Sequence, residues 1–234
     1  MKLRQFIWEA NQRLNKIFKT SFFDELYWKY RLNFEGDWKQ GDYKDSVDHP
    51  HREEIIKILK SIPDIFGKSI LEIGCNSGPN LIKIKNNFPM GQLAGIDISE
   101  RAIKEGQRLL PEADLRVGTA DKLPWPDKSF DCCLADAVLM YIGPDKIINT
   151  IGEMIRVAKD IIIIVDFHNF GDDIFGKING GHWSRNYIKL FEKFGLKAKT
   201  IKITKEMWPS YTWEKYGYFI IVDLNENGNH RKKT

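Results

Sequence analysis

From Lys68 onward, short runs rich in β-branched and apolar residues alternate with longer stretches whose apolar residues recur at helical spacing. The short runs predict strands at residues 68–73, 92–98, 115–120, 130–138 and 161–167. The longer stretches predict helices at residues 79–88, 100–110 and 145–157. The run at residues 161–167 is apolar without alternation, which is typical of a strand covered by helices on both faces. Strand and helix alternating in this way predict a parallel sheet with right-handed crossover connections.

The C-terminal part continues with one helix and two strands. A helix is predicted at residues 182–194, where Gly195 follows as a C-terminal stop. Residues 196–204 and 218–224 are predicted strands without a helical pattern of comparable length between them. We therefore expect them to be neighbours, with the last one inserted antiparallel. The predicted fold is α/β, a Rossmann-like, doubly wound, seven-stranded and mostly parallel sheet with an antiparallel last strand.

The first sixty residues do not follow this alternation. They begin with an amphipathic helix that either packs on its own domain or lies on a membrane surface. Its apolar face comprises Leu3, Phe6, Ile7, Ala10, Leu14, Ile17 and Phe18. An aromatic stretch from Phe22 to Tyr30 follows and is suited to a lid or a dimer contact. A second helix is predicted to begin at Asp48 as its N-cap, with Pro50 in the first turn.

Composition limits the class of protein. With 234 residues, 42% apolar and 29% charged, the chain fits a single domain with decorations. The net charge of +4 lies partly at the two ends, so charge alone does not indicate a nucleic-acid cleft. Cys75, Cys132 and Cys133 predict neither a disulfide framework nor a zinc cage. Without an apolar run of about twenty residues or a signal peptide, we expect a soluble cytoplasmic protein.

The stretch LEIGCNSGPN, residues 71–80, joins the first predicted strand to a helix through a glycine-rich turn. Gly74 permits a tight turn, Asn76 tolerates a positive φ angle, and Gly78 lets a ligand approach the backbone. Such a turn brings bare N–H groups and a helix N-terminus to a ligand. The dinucleotide fingerprint G-x-G-x-x-G would need glycines at 76 and 79, which are absent. Taken alone, the turn is equally compatible with a plain strand-to-helix connection.

Acidic residues at the ends of the next two strands strengthen the prediction of a site. Asp97 ends the second strand in GIDIS, where a carboxylate can accept hydrogen bonds from both hydroxyls of a ribose. Asp121 follows the third strand in GTADKLPW, at the next edge of the same crevice. The alternative for Asp97 is an N-terminal signal for the following helix, a role that Ser99 fills better.

These residues resemble the class I S-adenosylmethionine-dependent methyltransferases. The resemblance covers residues 70–165 and rests on LEIGCNSG, GIDIS, GTADKLPWPDKSFDCCLADAVLMYI and EMIRVAK. It implies residues 61–225 as the catalytic domain, residues 1–60 as an N-terminal helical lid or extension, and residues 226–234 as a flexible basic tail. Two features depart from the family pattern, namely Asn76 in place of a glycine and Ala158-Lys159-Asp160 in place of a Lys-Pro-Gly-Gly turn.

The resemblance also implies roles for individual residues toward S-adenosyl-L-methionine. Glu72 and the loop of Gly74, Asn76 and Gly78 would hold its amino acid end. Asp97 and Ile98 would lie at the ribose. Asp121 would accept from the adenine amine, with the backbone of Lys122 against the ring. Asp136, at the end of the fourth strand, would lie near the methionyl ammonium and the sulfonium.

Methyl transfer is an in-line displacement at an activated carbon, so a base is needed only where the acceptor must lose a proton. The acceptor pocket is expected over the ends of strands four and five. The catalytic candidates are His182, His168 and Tyr141, since a neutral imidazole can take a proton at physiological pH. Each histidine is alternatively a surface or capping residue. His49 and His51 form a third candidate pair, and no metal site is predicted.

The predicted function is methylation of an oxygen or nitrogen atom of a small biosynthetic intermediate, such as a sugar or a lipid-linked compound. A small molecule is thus the expected partner. The alternatives are an RNA or protein methyltransferase and a cofactor-binding regulatory module without activity. Ala135-Asp136-Ala137-Val138 lacks the Pro-Pro-aromatic turn that grips a base amine, which disfavours a nucleic-acid acceptor. Homodimerisation and membrane contact through the N-terminal helix remain open.

Overall fold

The structure is a computed structural model that describes residues 9–10, 13–14, 17–30, 47–63, 66–88, 91–179 and 182–225. Its main feature is a seven-stranded sheet, accompanied by a two-stranded one. The strands are β1 (Ile70–Ile73), β2 (Leu93–Asp97), β3 (Asp114–Val117), β4 (Phe130–Asp136), β5 (Ala158–Phe167), β6 (Lys177–Asn179), β7 (His182–Ser184), β8 (Lys199–Lys202) and β9 (Gly217–Asp223).

Helices flank the large sheet. In the described ranges they are α1 (Phe22–Tyr30), α2 (His51–Lys60), α3 (Pro79–Asn87), α4 (Glu100–Leu109), α5 (Ile147–Val157), α6 (Tyr187–Glu192) and α7 (Tyr211–Tyr216). A 3-10 turn, Leu139–Tyr141, follows β4. No helix within these ranges has the length and apolar character needed to cross a membrane.

The large sheet has the strand order β3-β2-β1-β4-β5-β9-β8. Strands β1 to β5 pair in parallel, whereas β9 lies antiparallel between β5 and β8. The predicted fold class, including the inserted antiparallel last strand, is confirmed. The chain leaves β1 toward β2 on one side and returns to β4 on the other, so the glycine loop after β1 lies at the point where the strand order reverses.

Apolar residues cover both faces of the sheet. On one face, Ile55 and Leu59 of α2 pack with Ile103 of α4 in a fully buried cluster. On the other, α5 and α6 pack in a second cluster. Every residue of the run 161–167 in β5 is buried, as its unbroken apolar pattern predicts. This central sheet supplies the rigid edge at which the loops after β1, β2 and β4 meet.

Residues 182–194 do not form one helix, so that prediction was wrong. His182–Ser184 form β7, which pairs antiparallel with β6. The helix that follows is the shorter α6, because the Asn186 side chain accepts a hydrogen bond from Lys189 N at 3.0 Å and caps it there. His182 therefore lies in a hairpin and not at a helix start.

The start of α2 also differs from the prediction. The helix begins at His51 with Pro50 as its cap residue, without a side-chain cap. Asp48 instead forms an ion pair with Lys83 of α3 at 3.2 Å. The predicted N-terminal amphipathic helix lies mostly outside the described residues, and the basic tail at 226–234 lies entirely outside them. Of its predicted apolar face, Ile17 and Phe18 are exposed.

Candidate active site

The loop between β1 and α3 adopts a backbone conformation that few residue types tolerate. Gly74, Asn76 and Gly78 have positive φ angles of 66°, 51° and 88°. A Cβ atom at position 74 would lie 2.0 Å from Val138 Cγ2, so only glycine fits there. The positive φ predicted for Asn76 is confirmed. The loop thus presents bare backbone at the N-terminus of α3, where N–H groups and the helix dipole favour an anion.

Asp97, at the end of β2, ties this loop to the next strand. Its Oδ2 atom accepts a hydrogen bond from Asn76 N at 2.9 Å, and its Oδ1 atom accepts one from Ser99 N at 2.8 Å. Ser99 caps α4 by accepting from Ala102 N. Each carboxylate oxygen has a second lone pair, so Asp97 can order the loop and still accept from ligand hydroxyls. Ile98, the next residue, is half-buried.

Asp121 follows β3 in the chain and lies near a cation, Lys146, at the N-terminus of α5. Lys146 Nζ lies 3.6 Å from Asp121 Oδ2 and also pairs with Glu25 of α1 at 2.5 Å. The turn before Lys122 is closed by a hydrogen bond from its backbone N–H to Thr119 O. The Asp121 side chain is 22% exposed.

A buried polar network joins β1, β4, α2 and α3. Asn80 Nδ2 donates to Glu72 Oε1 at 2.6 Å and to Asp136 Oδ2 at 2.9 Å. Arg52 Nη1 donates to Asn80 Oδ1 at 2.5 Å and to Asp136 Oδ2 at 2.8 Å. Sequence reasoning had placed Glu72 and Asp136 here but had missed Asn80 and Arg52. The available signal for Arg52 was a basic residue in the first turn of a helix, where acidic residues are preferred.

Four buried oxygen atoms around this network have no hydrogen-bond partner in the described part of the chain. They are Glu72 Oε2, Asn76 Oδ1, Ser77 Oγ and Asp136 Oδ1. Leaving such a group unpaired costs about 1–3 kcal/mol, more when it is charged. Two of the four belong to carboxylates and two to the glycine loop. Each of the four can accept a hydrogen bond, and a cationic donor suits the two carboxyl groups best.

The two carboxyl groups have opposite pKa shifts. Burial raises the pKa of Glu72 to about 8, and the negative charge of Asp136 adds to that effect. Burial also pushes the pKa of Asp136 upward, but His51, Arg52 and Asn80 outweigh it and hold the pKa well below its usual range. At neutral pH the network therefore contains one firmly ionised carboxylate and one carboxyl group that a cationic ligand would help to ionise.

Two histidines extend the network from Asp136 toward solvent. His51 Nε2 lies 2.8 Å from Asp136 Oδ2, and His51 Nδ1 lies 2.5 Å from His49 Nδ1. His51 is 2% exposed, whereas His49 is only half-buried. Burial, together with the nearby His51 and Arg52, lowers the pKa of His49 to about 4. His49 is therefore neutral at physiological pH.

Aromatic rings form an arc along the same edge of the sheet. Trp208 stacks on His51 with centroids 4.0 Å apart and on Trp213 with centroids 3.7 Å apart. Phe167 contacts both Trp213, at 4.8 Å, and His182, at 5.4 Å. The arc continues through Tyr141 to Trp28 of α1, with centroid separations of 5.1 Å and 4.7 Å. These rings exclude water and offer apolar and π surfaces to a ligand.

The three predicted catalytic residues fall into two places. Tyr141 and His182 lie together in the aromatic arc, in contact through their rings. His168 is 2% exposed and accepts a hydrogen bond from Tyr187 N on its Nδ1 atom at 3.2 Å. Its ring contacts Phe170 and Tyr218, and burial followed by the charge of Lys202 lowers its pKa to about 4. The structure thus brings Tyr141 and His182 together and encloses His168 separately.

Residues near His182 hold the 3-10 turn after β4 in place. Arg185 is fully buried and donates to Leu139 O and Ile142 O. Trp183 is also buried. Asp166 accepts from Met140 N at 2.9 Å. The contacts of Arg185 and Asp166 fix the backbone on which Tyr141 lies, so both contribute structure at this edge.

The segment 20–30 lies against the loop before α5. Ser21 Oγ and Ser21 N both donate to Asp145 Oδ1 at 2.8 Å, and Gly143 N donates back to Ser21 Oγ at 2.7 Å. Thr20 Oγ1 donates to the other carboxylate oxygen of Asp145. Together with the Glu25–Lys146 pair, these bonds hold α1 beside Asp121 and Tyr141.

Within the described ranges, no group of three or more His, Cys, Asp or Glu residues could hold a metal ion. The three cysteines are buried and unbridged. Burial raises the pKa of each thiol, which makes all three poor nucleophiles.

Comparison with known sequences matches the family described as "Methyltransferase domain" over residues 70–160. Demethylmenaquinone methyltransferase of Listeria monocytogenes is 32% identical over 114 residues, which are 46% of this chain and 46% of that protein. Phthiotriol/phenolphthiotriol dimycocerosates methyltransferase of Mycobacterium tuberculosis is 29% identical over 94 residues, 38% of this chain and 35% of that protein. The chain spans about half the length, or less, of these curated relatives.

Solved structures show the same fold. Magnesium protoporphyrin IX methyltransferase from Synechocystis, crystallised with bound SAM, superposes with a TM-score of 0.59 at 14% identity, covering 91% of this chain and 96% of that one. Geranyl diphosphate C-methyltransferase from Streptomyces coelicolor, in complex with S-adenosyl-L-homocysteine, superposes with a TM-score of 0.59 at 14% identity. The match covers 80% of this chain and 82% of that one.

Proposed function

We propose that the protein transfers a methyl group from S-adenosyl-L-methionine to a small-molecule acceptor, since residues 70–160 match the family described as "Methyltransferase domain". The observation that carries the proposal is the set of buried oxygen atoms without donors around the glycine loop. An α-amino acid with a free ammonium group is a ligand that would satisfy the two carboxyl oxygens among them. The reacting atom of the acceptor is proposed to be oxygen or nitrogen.

The residues present fit this cofactor. Glu72 Oε2 and Asp136 Oδ1 would accept from its ammonium group. Arg52 and the N-terminus of α3 would hold its carboxylate, because both bring positive potential to the same edge. Asp97, with Ile98 beside it, would lie at the ribose hydroxyls. Asp121 would accept from the adenine amine, with Lys122 against the ring.

When bound, the cofactor supplies a methyl group activated by a sulfonium. The protein contributes position and exclusion of water, which are the main requirements of an in-line displacement. The aromatic arc and the segment 20–30 would enclose the acceptor beside Asp136. Tyr141 and His182 would contact it from the arc. Residues 1–60 are accordingly proposed as a lid or extension on a catalytic domain of residues 61–225.

The acceptor class is supported by the arc and by the relatives. Six-membered and indole rings lining one edge favour an apolar or planar acceptor over a highly charged one. The names of the similar proteins refer to demethylmenaquinone, phthiotriol, magnesium protoporphyrin and geranyl diphosphate. All are small molecules with a large apolar part. We therefore propose a lipophilic biosynthetic intermediate as the acceptor.

The decisive experiment is calorimetric titration of the protein with S-adenosyl-L-homocysteine, with NAD as a control ligand. Saturable binding is expected for the first and none for the second. Asp97→Ala should weaken binding by about 1.5–3 kcal/mol, the typical value for a charge-assisted hydrogen bond. Asp127→Ala serves as the matched control, because Asp127 is exposed and pairs with Arg156 before β4. Equal binding by both variants, or binding of NAD alone, would refute the proposal.

A further inference from the structure

We propose that Arg156 of α5, together with Glu153, is a positioning residue that holds the loop of Asp121 and thereby determines which base the cofactor site accepts. The inference rests on the proposed function, which assigns the adenine amine to Asp121. Arg156 acts through the loop and not by contact with the ligand. The base accepted is one with an exocyclic amine, because a carboxylate only accepts hydrogen bonds and so pairs with an amine and not with a carbonyl oxygen.

The loop that carries Asp121 begins beside the proposed ribose site. It comprises residues 118–129, between β3 and β4. Val117, the last residue of β3, pairs with Asp97, and Gly118 N donates to Asp97 O at 3.0 Å. A nucleoside whose ribose hydroxyls bind Asp97 carries its base one glycosidic bond away from them. The loop is therefore the segment at this edge of the sheet that the base of such a nucleoside would meet.

Side chains of α5 bind the backbone of this loop, which has no helix or strand of its own. Arg156 donates from Nη2 to Leu123 O at 3.0 Å and from Nη1 to Trp125 O at 2.8 Å. Glu153 Oε2 accepts from Leu123 N at 2.7 Å. Both backbone polar groups of Leu123 are thus bound by α5, in a loop where no ladder of strands could bind them.

Glu153 and Arg156 are also joined to each other. Arg156 Nε donates to Glu153 Oε1 at 2.6 Å, and Arg156 Nη2 donates to Glu153 Oε2 at 2.8 Å. The hydrogen bond from Arg156 lowers the pKa of Glu153, so this carboxylate is ionised at neutral pH. Such a bidentate pair fixes the plane of the guanidinium. Because α5 is anchored in the apolar core by Ile151 and Met154, the pair is a rigid support for the loop.

A second arginine holds the loop from the side of β3. Arg116 Nη1 donates to Pro124 O at 2.7 Å, so three successive carbonyl oxygens, at residues 123, 124 and 125, accept from arginine side chains. Leu123 and Trp125 are buried. The path of the chain is thus fixed from two residues after Asp121 onward.

The same helix also reaches Asp121 itself. Lys146, at the N-terminus of α5, lies with its Nζ atom 3.6 Å from Asp121 Oδ2. Hydrogen bonds weaken beyond about 3.2 Å, so a displacement of the loop by a fraction of an ångström would impair a bond from a base to this carboxylate. Arg156 and Glu153 prevent such a displacement, and they therefore affect the base part of the ligand more than its other parts.

The test compares two ligands by calorimetric titration, S-adenosyl-L-homocysteine and S-inosyl-L-homocysteine, whose base has a carbonyl oxygen in place of the amine. The parent protein should prefer the first by about 10–100-fold. Arg156→Lys keeps the positive charge but lacks the planar fork, so it cannot hold Glu153 and both carbonyl oxygens at once. In this variant the preference should shrink about fivefold.

Arg108→Lys is the matched control. Arg108 of α4 pairs with Glu105 in the same bidentate manner and at the same spacing along its helix, but it does not bind the loop. Its substitution should leave the preference unchanged. Asp121→Ala should abolish the preference, and adding Arg156→Lys to it should change the preference no further, because both act on one contact.

Amide exchange in the ligand-free protein is the second readout. Exchange at Leu123 N, followed by NMR, should accelerate in Arg156→Lys while exchange in β4 stays at the parent rate. Equal acceleration in both would show a general loss of stability and would overturn the proposal, as would an unchanged rate at Leu123.

The binding results can overturn the proposal in three further ways. Arg156→Lys could weaken both ligands by one factor with the preference intact, which would make Arg156 a purely structural residue. A parent protein that binds both ligands equally well would remove the role of Asp121 on which the proposal depends. A preference lost equally in Arg108→Lys would show that the effect is not specific to the loop. Binding of neither ligand by the parent protein would instead refute the proposed function itself.

Discussion

At the residue scale, the candidate site contains four buried oxygen atoms that have no hydrogen-bond partner among the described residues. Glu72 and Asp136 could be placed from the sequence because each lies in a strand that ends at the glycine loop's edge. Asn80, Arg52 and His51 could not, since their bonds to Asp136 span 56, 84 and 85 positions of the chain. Only folding brings α2 to the end of β4. The local sequence pattern does not predict contacts between residues so far apart in the chain.

The raised pKa of Glu72 predicts how stability changes with pH. A carboxyl group with a folded-state pKa near 8 and an unfolded value near 4.5 binds its proton more tightly in the folded protein. Its stabilising contribution is full below about pH 4.5 and is lost as pH rises toward 8. Glu72→Gln should therefore reduce the loss of thermal stability between pH 6 and pH 9 in the ligand-free protein, by on the order of a few kcal/mol.

Thermal unfolding followed by circular dichroism measures this difference. Glu112→Gln is the control, because that carboxyl group is half-exposed and its pKa is lowered, chiefly by a hydrogen bond from Lys85. Parallel pH profiles for the parent protein and Glu72→Gln would contradict the assignment of a protonated Glu72. The same substitution should weaken binding of S-adenosyl-L-homocysteine, since an amide accepts more weakly from an ammonium than a carboxylate does.

At the element scale, hydrophobic patterning predicted the strands of the large sheet but not the connections after β5. Each buried strand has a run of apolar residues that predicts it, and alternation with helices predicts the parallel order. The stretch 182–194 has helical spacing, yet the side chain of Asn186 caps α6 and the preceding residues pair with β6. Pairing with a strand earlier in the chain overrides the local helical pattern.

The glycine loop gives a prediction at this scale. Gly74→Ala should destabilise the protein by about 2–4 kcal/mol, because it combines a positive φ angle with a collision against Val138. Gly195→Ala is the matched control, with a φ of 72° and no atom within 4 Å of the added Cβ. It should cost only the backbone strain, about 1–2 kcal/mol. Chemical denaturation of both variants measures the two values, and equal losses would show that the contact with Val138 is relieved cheaply.

The attachment of α1 to the loop before α5 gives another prediction at the element scale. Asp145→Ala removes the acceptor of three hydrogen bonds from Thr20 and Ser21. The segment 20–30 should become more susceptible to limited proteolysis, and affinity for S-adenosyl-L-homocysteine should fall because α1 lies beside Asp121. Lys146→Ala, which removes the pair with Glu25, should act in the same direction. Unchanged cleavage in both variants would show that α1 is held by its aromatic contacts alone.

At the scale of the whole molecule, the fold and the resemblance to class I methyltransferases were predictable and are confirmed, because both follow from motifs at successive strand ends. The edge proposed for the acceptor was less predictable from the sequence. Its rings come from α1, the 3-10 turn, β5, β7 and the segment around α7, which are distant in the chain. An aromatic arc assembled from so many segments leaves no contiguous motif in the sequence. His49 and His51 could be named as candidates, but their link to Asp136 could not.

This assembly predicts a long-range response to the cofactor product. S-adenosyl-L-homocysteine at 100 times its Kd should stabilise the protein by about 2.7 kcal/mol, raising Tm by roughly 5–11 °C for a chain of this size. Since Asp136 connects through His51 to Trp208, and Asp121 through Lys146 to α1, amide exchange should slow in segments 20–30 and 205–216 as well as in the glycine loop. Hydrogen exchange followed by mass spectrometry measures the exchange rates in all three segments. Protection confined to residues 71–99 would mean that the cofactor site and the acceptor edge are energetically independent, and the lid role of α1 would then be lost.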